Sequence, residues 1–234
     1  AGTYDGRFTE TMFDEAVGLT DPYFFTKHES EGLVRRENRF PWRVYRPSMV
    51  VGHSKTGAMD KIDGPYFIFR LLYQVSRFLP AWFPLIGIEG GRFNIVPVDY
   101  VAEAMDHIAH QPGFDGKVFH LTAEEHYSLA ELFNLVARQL GAPGFRFWIS
   151  NNVLNKGPNQ VVGRLAEWPP ITALKEKVLK LLDLPPQILG YLTYPTTYDR
   201  SQTKAALAGT AIVPPPLEAY IGVLHRYWAT HLNR

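Results

Sequence analysis

Cysteine is absent from the 234 residues, which excludes disulfide frameworks, thiolate metal sites and cysteine nucleophiles. Net charge is almost absent too. The 24 basic and 23 acidic side chains leave +1, so nothing in the charge balance argues for nucleic acid, which needs a strongly basic face. No apolar run reaches the roughly eighteen residues of a membrane span. The most apolar window, residues 67–88, carries Arg70, Gln74 and Arg77 and is broken by Pro80 and Pro84. The opening Ala-Gly-Thr-Tyr-Asp-Gly has no basic-then-apolar character, so no signal peptide is expected. The eight histidines show no His-x-x-x-His spacing, so no metal site is expected. Glycine is plentiful at 19, but no Gly-x-Gly-x-x-Gly or Gly-x-x-Gly-x-x-Gly series occurs. A strand-turn-helix cradle for a pyrophosphate is therefore not encoded in these residues.

What is present suits a folded chain: 46% hydrophobic and 20% charged residues, with 14% aromatic residues and 18 prolines. Asp21 and Pro22 open a helix that runs to Arg36. Pro41 to Pro47 and then Ser48 to Gly52 form a short β-rich run with a proline-marked turn. Phe67, Leu71, Val75 and Phe78 recur at helical spacing, predicting a helix over 65–78. Asn94 to Asp99 is extended and Asp99 is expected to cap a helix to His110. Val118 to Leu121 is a strand, and Ser128 caps a helix to Leu140. This alternation predicts an α/β fold with a largely parallel sheet. Beyond Gly141 come two Pro-rich linkers, 168–170 and 214–216, helices at 171–183 and 217–232, and no strong strand alternation. Residues 1–140 are read as one domain with an insertion near 58–92, and 141–234 as a mainly helical cap.

Tyr23 and Lys27 lie four residues apart, on one helix face. A phenol gives up its proton poorly at neutral pH, and a nearby ammonium favours the phenolate, which makes such a pair a usable acid-base group. An ordinary surface pair is the competing reading. His53 is open to an acid-base or a packing role. Phe67, Phe69 and Trp82, within an aromatic stretch, are read either as the wall of an acyl channel or as plain core.

Three segments in order carry a resemblance: Tyr23-Phe24-Phe25-Thr26-Lys27, then Trp42-Arg43-Val44-Tyr45-Arg46-Pro47 to Ser54, then Asn94 to Ala102. Together they resemble the extended short-chain dehydrogenase/reductase superfamily. Lys27-His28-Glu29-Ser30-Glu31, Gly52-His53-Ser54, Thr56-Gly57, Met59-Asp60-Lys61, Gly64-Pro65-Tyr66, Ile88-Glu89-Gly90-Gly91-Arg92 and Tyr194-Pro195-Thr196 resemble its bacterial fatty acyl-CoA reductases. The resemblance implies a Rossmann-like parallel sheet with a mainly helical substrate-binding cap. It implies a Ser-Tyr-Lys set in which Tyr23 and Lys27 are the last two members. No serine occurs before Ser30, so the serine and the Gly-rich half are expected upstream, this chain being the C-terminal part of the reductase domain.

By the same resemblance Tyr23, Lys27, Pro47, Ser48, Met49 and Val50 face a nicotinamide cofactor, NADPH by analogy with NADH left open. The implied reaction is reduction of an acyl-CoA or acyl carrier protein thioester to an aldehyde, and in some relatives on to an alcohol. The missing half, or a complementing chain, is the implied partner. An extended reductase, epimerase or dehydratase acting elsewhere, or a fragment that only binds substrate, remain the alternatives. A cytoplasmic location is expected, with peripheral contact to a membrane left open.

Overall fold

The computed structural model describes residues 1–37, 39–60, 66–88, 91–149 and 196–232. In chain order the elements are β1 (Arg7–Phe8), α1 (Pro22–Arg36), β2 (Arg43–Pro47), β3 (Met49–Val51), α2 (Tyr66–Ser76), β4 (Leu85–Ile88), β5 (Arg92–Phe93), β6 (Ile95–Pro97), α3 (Val98–His110), β7 (Lys117–Leu121), β8 (Tyr127–Ser128), α4 (Leu129–Leu140), β9 (Phe145–Ile149), β10 (Thr197–Tyr198), α5 (Ser201–Ala206) and α6 (Leu217–Tyr227). The helix expected at 171–183 and the linker at 168–170 lie outside the described residues.

The chain divides into two compact units, and both are discontinuous. One gathers Ala1–Met59, Arg92–His126 and Tyr194–Tyr220; the other gathers Asp60–Gly91, Tyr127–Thr193 and Ile221–Arg234. The split read near residue 140 follows the chain, whereas the compact units interleave along it.

In the first unit the strand pairs are parallel: β2 with β7, β3 with β6, and β1 with β10. Arg43 stands opposite Lys117 and Pro47 opposite Leu121. Each parallel neighbour is reached through a helical crossover, as this strand geometry demands. The helix α3 presents Tyr100, Val101, Ala104 and Ile108 on one stripe, and these pack with Val96, Phe119, Leu121, Ala206 and Leu207 into one apolar cluster. Asn94 is the buried polar member beside it. Its Oδ1 accepts from the Ala123 N–H at 2.8 Å and its Nδ2 donates to the carbonyls of Ala123 and Glu125, so both ends of this amide are satisfied.

Two expectations need correction. Asp99 does not cap α3: the cap position is Pro97, and Asp99 sits in the first turn. Its carboxylate instead accepts from the Ser54 N–H at 2.9 Å and the Ser54 hydroxyl at 2.5 Å. A carboxylate in the first turn still meets the positive end of the helix dipole, which is why the sequence signal looked like a cap. Nor is the region after Gly141 free of strands. Phe145, Arg146 and Phe147 alternate, and β9 pairs in parallel with β4 in the second unit.

That second unit is pinned by local devices. Ser128 and Glu131 form a reciprocal capping box at the start of α4. Gly141 ends it at φ 58°, a left-handed conformation that a side chain would resist. Asn134 then clamps the entry to β9, its Oδ1 accepting from the Phe145 N–H at 2.7 Å and its Nδ2 donating to the Phe145 carbonyl at 3.0 Å. On α2, Tyr66, Phe69 and Leu72 are buried at helical spacing. The Phe69 ring lies 5.6 Å from His225 and 5.7 Å from Trp228, centroid to centroid.

Phe69 thus has the surroundings of a core residue. Truncating it leaves a cavity among rings that cannot collapse, so Phe69→Ala should cost about 3–5 kcal/mol, read as a fall in thermal melting temperature. A melt within a degree or so of the parent would mean that this position is not a packing centre.

Candidate functional site

Tyr23 and Lys27 stand in the first two turns of α1. Asp21 starts the helix, its carboxylate accepting from the Tyr23 N–H at 2.8 Å, with Pro22 in the first turn. The Tyr23 side chain is 58% exposed. The Lys27 ammonium lies 5.7 Å from the centre of its ring. The helix therefore offers a phenol and a cation side by side to a ligand arriving from solvent.

The other end of the same helix is fixed inside the first unit. Glu31, one turn beyond Lys27, receives the Arg46 guanidinium in a forked pair, Nη2 to Oε1 at 2.6 Å and Nε to Oε2 at 2.9 Å. It also accepts from Arg35 Nε at 2.8 Å. Burial pushes the Glu31 carboxyl up, but the hydrogen bonds and charges of Arg46 and Arg35 outweigh it and hold it below the ordinary range. Arg46 in turn donates Nη2 to the Met12 carbonyl at 2.8 Å, and its Nη1 meets His120 Nε2 at 3.0 Å. Because Arg46 is the last residue of β2 before Pro47, this pair ties α1 directly to the turn of Pro47, Ser48, Met49 and Val50.

That turn is laid down by backbone bonds. The Ser48 N–H donates to the Leu121 carbonyl at 3.3 Å and the Met49 N–H to the Asn94 carbonyl at 3.2 Å. Pro47 is exposed, Met49 is half-buried, and Val50 packs on the apolar cluster. The Ser48 hydroxyl is buried and has no hydrogen-bond partner among the described residues. Such a group is costly unless something completes it.

Behind the turn lies a polar core that sequence reasoning missed. His120, in the buried strand β7, lies with Nδ1 2.7 Å from the Asp199 carbonyl. Only a ring that donates there leaves Nε2 free to accept from Arg46, which fixes the tautomer. Glu10 is fully buried and accepts from four donors: the N–H groups of His120 (2.9 Å), Gln202 (2.5 Å) and Thr203 (3.0 Å), and the Thr203 hydroxyl (2.6 Å). Asp199 also pairs with Arg7. The available signal was a histidine inside the apolar run Val118-Phe119-His120-Leu121, since a titratable side chain there must find partners.

The residues expected to wall an acyl channel differ in burial. Phe69 is buried as described, Phe67 is half-buried, and Trp82 is 69% exposed, with the Phe83 ring 6.2 Å away. His53 faces Asp99 at 3.8 Å, and its Nδ1 accepts from the Lys55 N–H at 3.1 Å.

His120 sets a pH dependence. Burial first, and the Arg46 charge second, lower its pKa from 6.5 to about 4. The unfolded chain then binds a proton that the folded chain refuses, so this group's stabilisation is complete above about pH 6.5 and declines as pH falls towards about 4. The displacement corresponds to about 3 kcal/mol. Denaturant melts across that window should show the decline, and His120→Gln should flatten it. An unchanged acid slope in the variant would remove His120 from this role.

Comparison with known proteins sets the site in context. Residues 2–105 match an NAD-binding family model described as "Male sterility protein". Over 129 residues, 51% of this chain, the sequence is 35% identical to the non-canonical nonribosomal peptide synthetase hkm10 of Aspergillus hancockii, of which it covers 12%. It is 34% identical over 112 residues to the glycine betaine reductase ATRR of Emericella nidulans, covering 47% of this chain and 8% of that one. The chain thus spans a small part of the curated relatives it matches. Among solved structures, the terminal R domain of the myxalamid PKS-NRPS pathway aligns with 95% of this chain and 53% of its own, at TM-score 0.63 and 20% identity. The dTDP-glucose 4,6-dehydratase of Bacillus anthracis, in complex with NAD, aligns with 97% of this chain and 57% of its own at TM-score 0.59 and 12% identity. These structural likenesses establish an α/β Rossmann-type fold for this chain.

Proposed function

We propose that this chain forms the catalytic-helix side of a nicotinamide-dependent reductase that acts on a carrier- or coenzyme A-bound acyl thioester. The single observation that carries the reading is α1 itself. It offers Tyr23 and Lys27 to solvent while Glu31, on the same helix, is clamped by Arg46 at the edge of the 47–50 turn. Relatives named as a glycine betaine reductase, an aldehyde reductase and nonribosomal peptide synthetases support a carbonyl-level reduction. A fatty acyl group is the preferred substrate on the resemblance of the motifs alone.

The residues present fit the nicotinamide-ribose end of such a cofactor: Ser48 brings a buried hydroxyl without a partner among the described residues, and Lys27 an exposed ammonium. When bound, the cofactor supplies a hydride to the thioester carbonyl carbon. Tyr23 donates its proton to the oxygen that gains charge, and Lys27, beside the ring, steadies the phenolate left behind and holds the ribose hydroxyls. The hemithioacetal then returns its hydroxyl proton to the Tyr23 phenolate as the carbon–sulfur bond breaks; the departing thiolate takes a proton from water and the aldehyde leaves. Arg46 and Glu31 keep the helix fixed against the turn, so that the phenol need not be ordered anew in each turnover.

The pyrophosphate end needs backbone N–H groups at a helix N-terminus after a Gly-rich turn, which we assign to a complementing Rossmann half. Tyr23→Phe in a reductase joining that half to this chain, by fusion or co-expression, should lower NADPH-dependent acyl-CoA reduction by at least about a hundredfold with an unchanged melt. Turnover close to the parent's would overturn the role of Tyr23. By the same division, the 234 residues alone should not bind NADPH at micromolar affinity in isothermal titration. Stoichiometric micromolar binding by a monomer would show the cofactor site to be whole without the second half.

A further inference from the structure

Two turns follow α2, and among the described residues of the second unit they carry the most exposed large aromatic side chains. Phe78 is 83% exposed, Trp82 69%, and Phe83 is also open to solvent. Part of their backbone is bonded locally: the N–H groups of Phe78 and Leu79 donate to the Val75 carbonyl at 3.1 and 2.9 Å, and that of Phe83 donates to the Pro80 carbonyl at 2.9 Å. Pro80 and Pro84 carry no N–H at all. The turns are thus short, proline-braced and poor in donors that would call for water.

We infer that residues 77–84 seat in the headgroup layer of an anionic lipid surface. Charge selects this occupant. From residue 66 to residue 88 there is no acidic side chain, and the charged residues are Arg70 and Arg77, both exposed. A protein partner would more commonly face a rim of both signs, whereas a segment with arginine and no carboxylate complements an anionic leaflet. The side chains fit as well. Indole and phenyl rings are favoured at the boundary between headgroups and acyl chains, where one edge stays polar and the body is apolar. Arg77, beside Phe78, can lay its stem along that boundary and keep its guanidinium among the phosphates. A locally bonded backbone loses little on leaving bulk water. Since no helix among the described residues is long and apolar enough to cross a membrane, the contact is one of adsorption. It places the second unit where acyl chains are found, and it stands independently of the reductase reading.

The test uses the 234-residue chain without cofactor or thioester. It should sediment with vesicles of mixed phosphatidylcholine and phosphatidylglycerol, less with phosphatidylcholine alone, and less again as salt is raised. Brominated acyl chains should quench tryptophan fluorescence, and Trp82→Phe should remove most of that quenching. The double variant Phe78→Ser, Trp82→Ser should weaken partition by about tenfold or more while leaving the melt unchanged, and Arg77→Glu should abolish the preference for the anionic vesicles. Absence of vesicle binding, or binding untouched by the double variant, overturns the inference. So does a large melting loss in the double variant, which would mean that the chain itself covers these rings. A concentration-dependent dimer without vesicles, lost in the same variant, would assign the surface to a second copy instead.

Discussion

One half-buried guanidinium organises the first unit. Arg46 spends its donors on Glu31, the Met12 carbonyl and His120, joining α1, an irregular N-terminal segment and β7 at the end of β2. Such a cluster gains little net stability, because each charge had to leave water, but breaking it strands the remaining partners at a cost of about 3–5 kcal/mol. Its consequence is registry. The helix with Tyr23 and the turn with Ser48 can slide against one another only by undoing a forked ion pair whose two contacts are both under 3 Å. The exposed Tyr23 phenol, on the first turn of that helix, is held in place by this remote clamp.

Glu10 extends the same logic. A carboxylate buried without a cation is tolerable only when donors surround it, and four do. Two of them are the N–H groups at the start of α5, where a negative charge also meets the helix dipole. The His120 N–H is the third, so one carboxylate couples β7 to a helix some eighty residues further along the chain. Arg46 holds the His120 ring and Glu10 its backbone N–H; burial and the guanidinium keep that ring neutral, since a second proton would face the guanidinium and lose the bond to it.

The legible parts of the molecule are those whose cause is local. Asp21-Pro22 and Ser128 with Glu131 announce helix starts because a cap is satisfied within three residues. The strands ending at Pro47 and Leu121 were readable as short β-branched and aromatic runs. Tyr23 and Lys27 were readable as a one-face pair, because one helical turn sets them side by side. The polar core was not readable. Glu10 lies in a segment without periodicity, and its partners at His120, Gln202 and Thr203 are set only once the parallel strands have brought distant residues together. Asp99 misled for a related reason: the residue types of a cap were in place, but a more distant donor, Ser54, took the carboxylate.

The aromatic stretch after Tyr66 shows how one hydrophobic signal splits on folding. Tyr66, Phe69 and Leu72 follow helical spacing and turn inward, so the period itself predicts their burial. The next residues lose that period at the end of α2, where Phe78 is followed by Pro80 and Pro84, and no helical face remains to carry them into a core. Hydrophobicity alone could not distinguish the two fates, since both halves are equally apolar. Periodicity could, because only a residue whose spacing matches its element is drawn to the packed side. An aromatic residue that has lost its period must either find a partner by tertiary folding or remain at the surface. In this chain Phe78 and Trp82 take the second course, and their exposure beside Arg77 is therefore a property of the sequence pattern as much as of the fold.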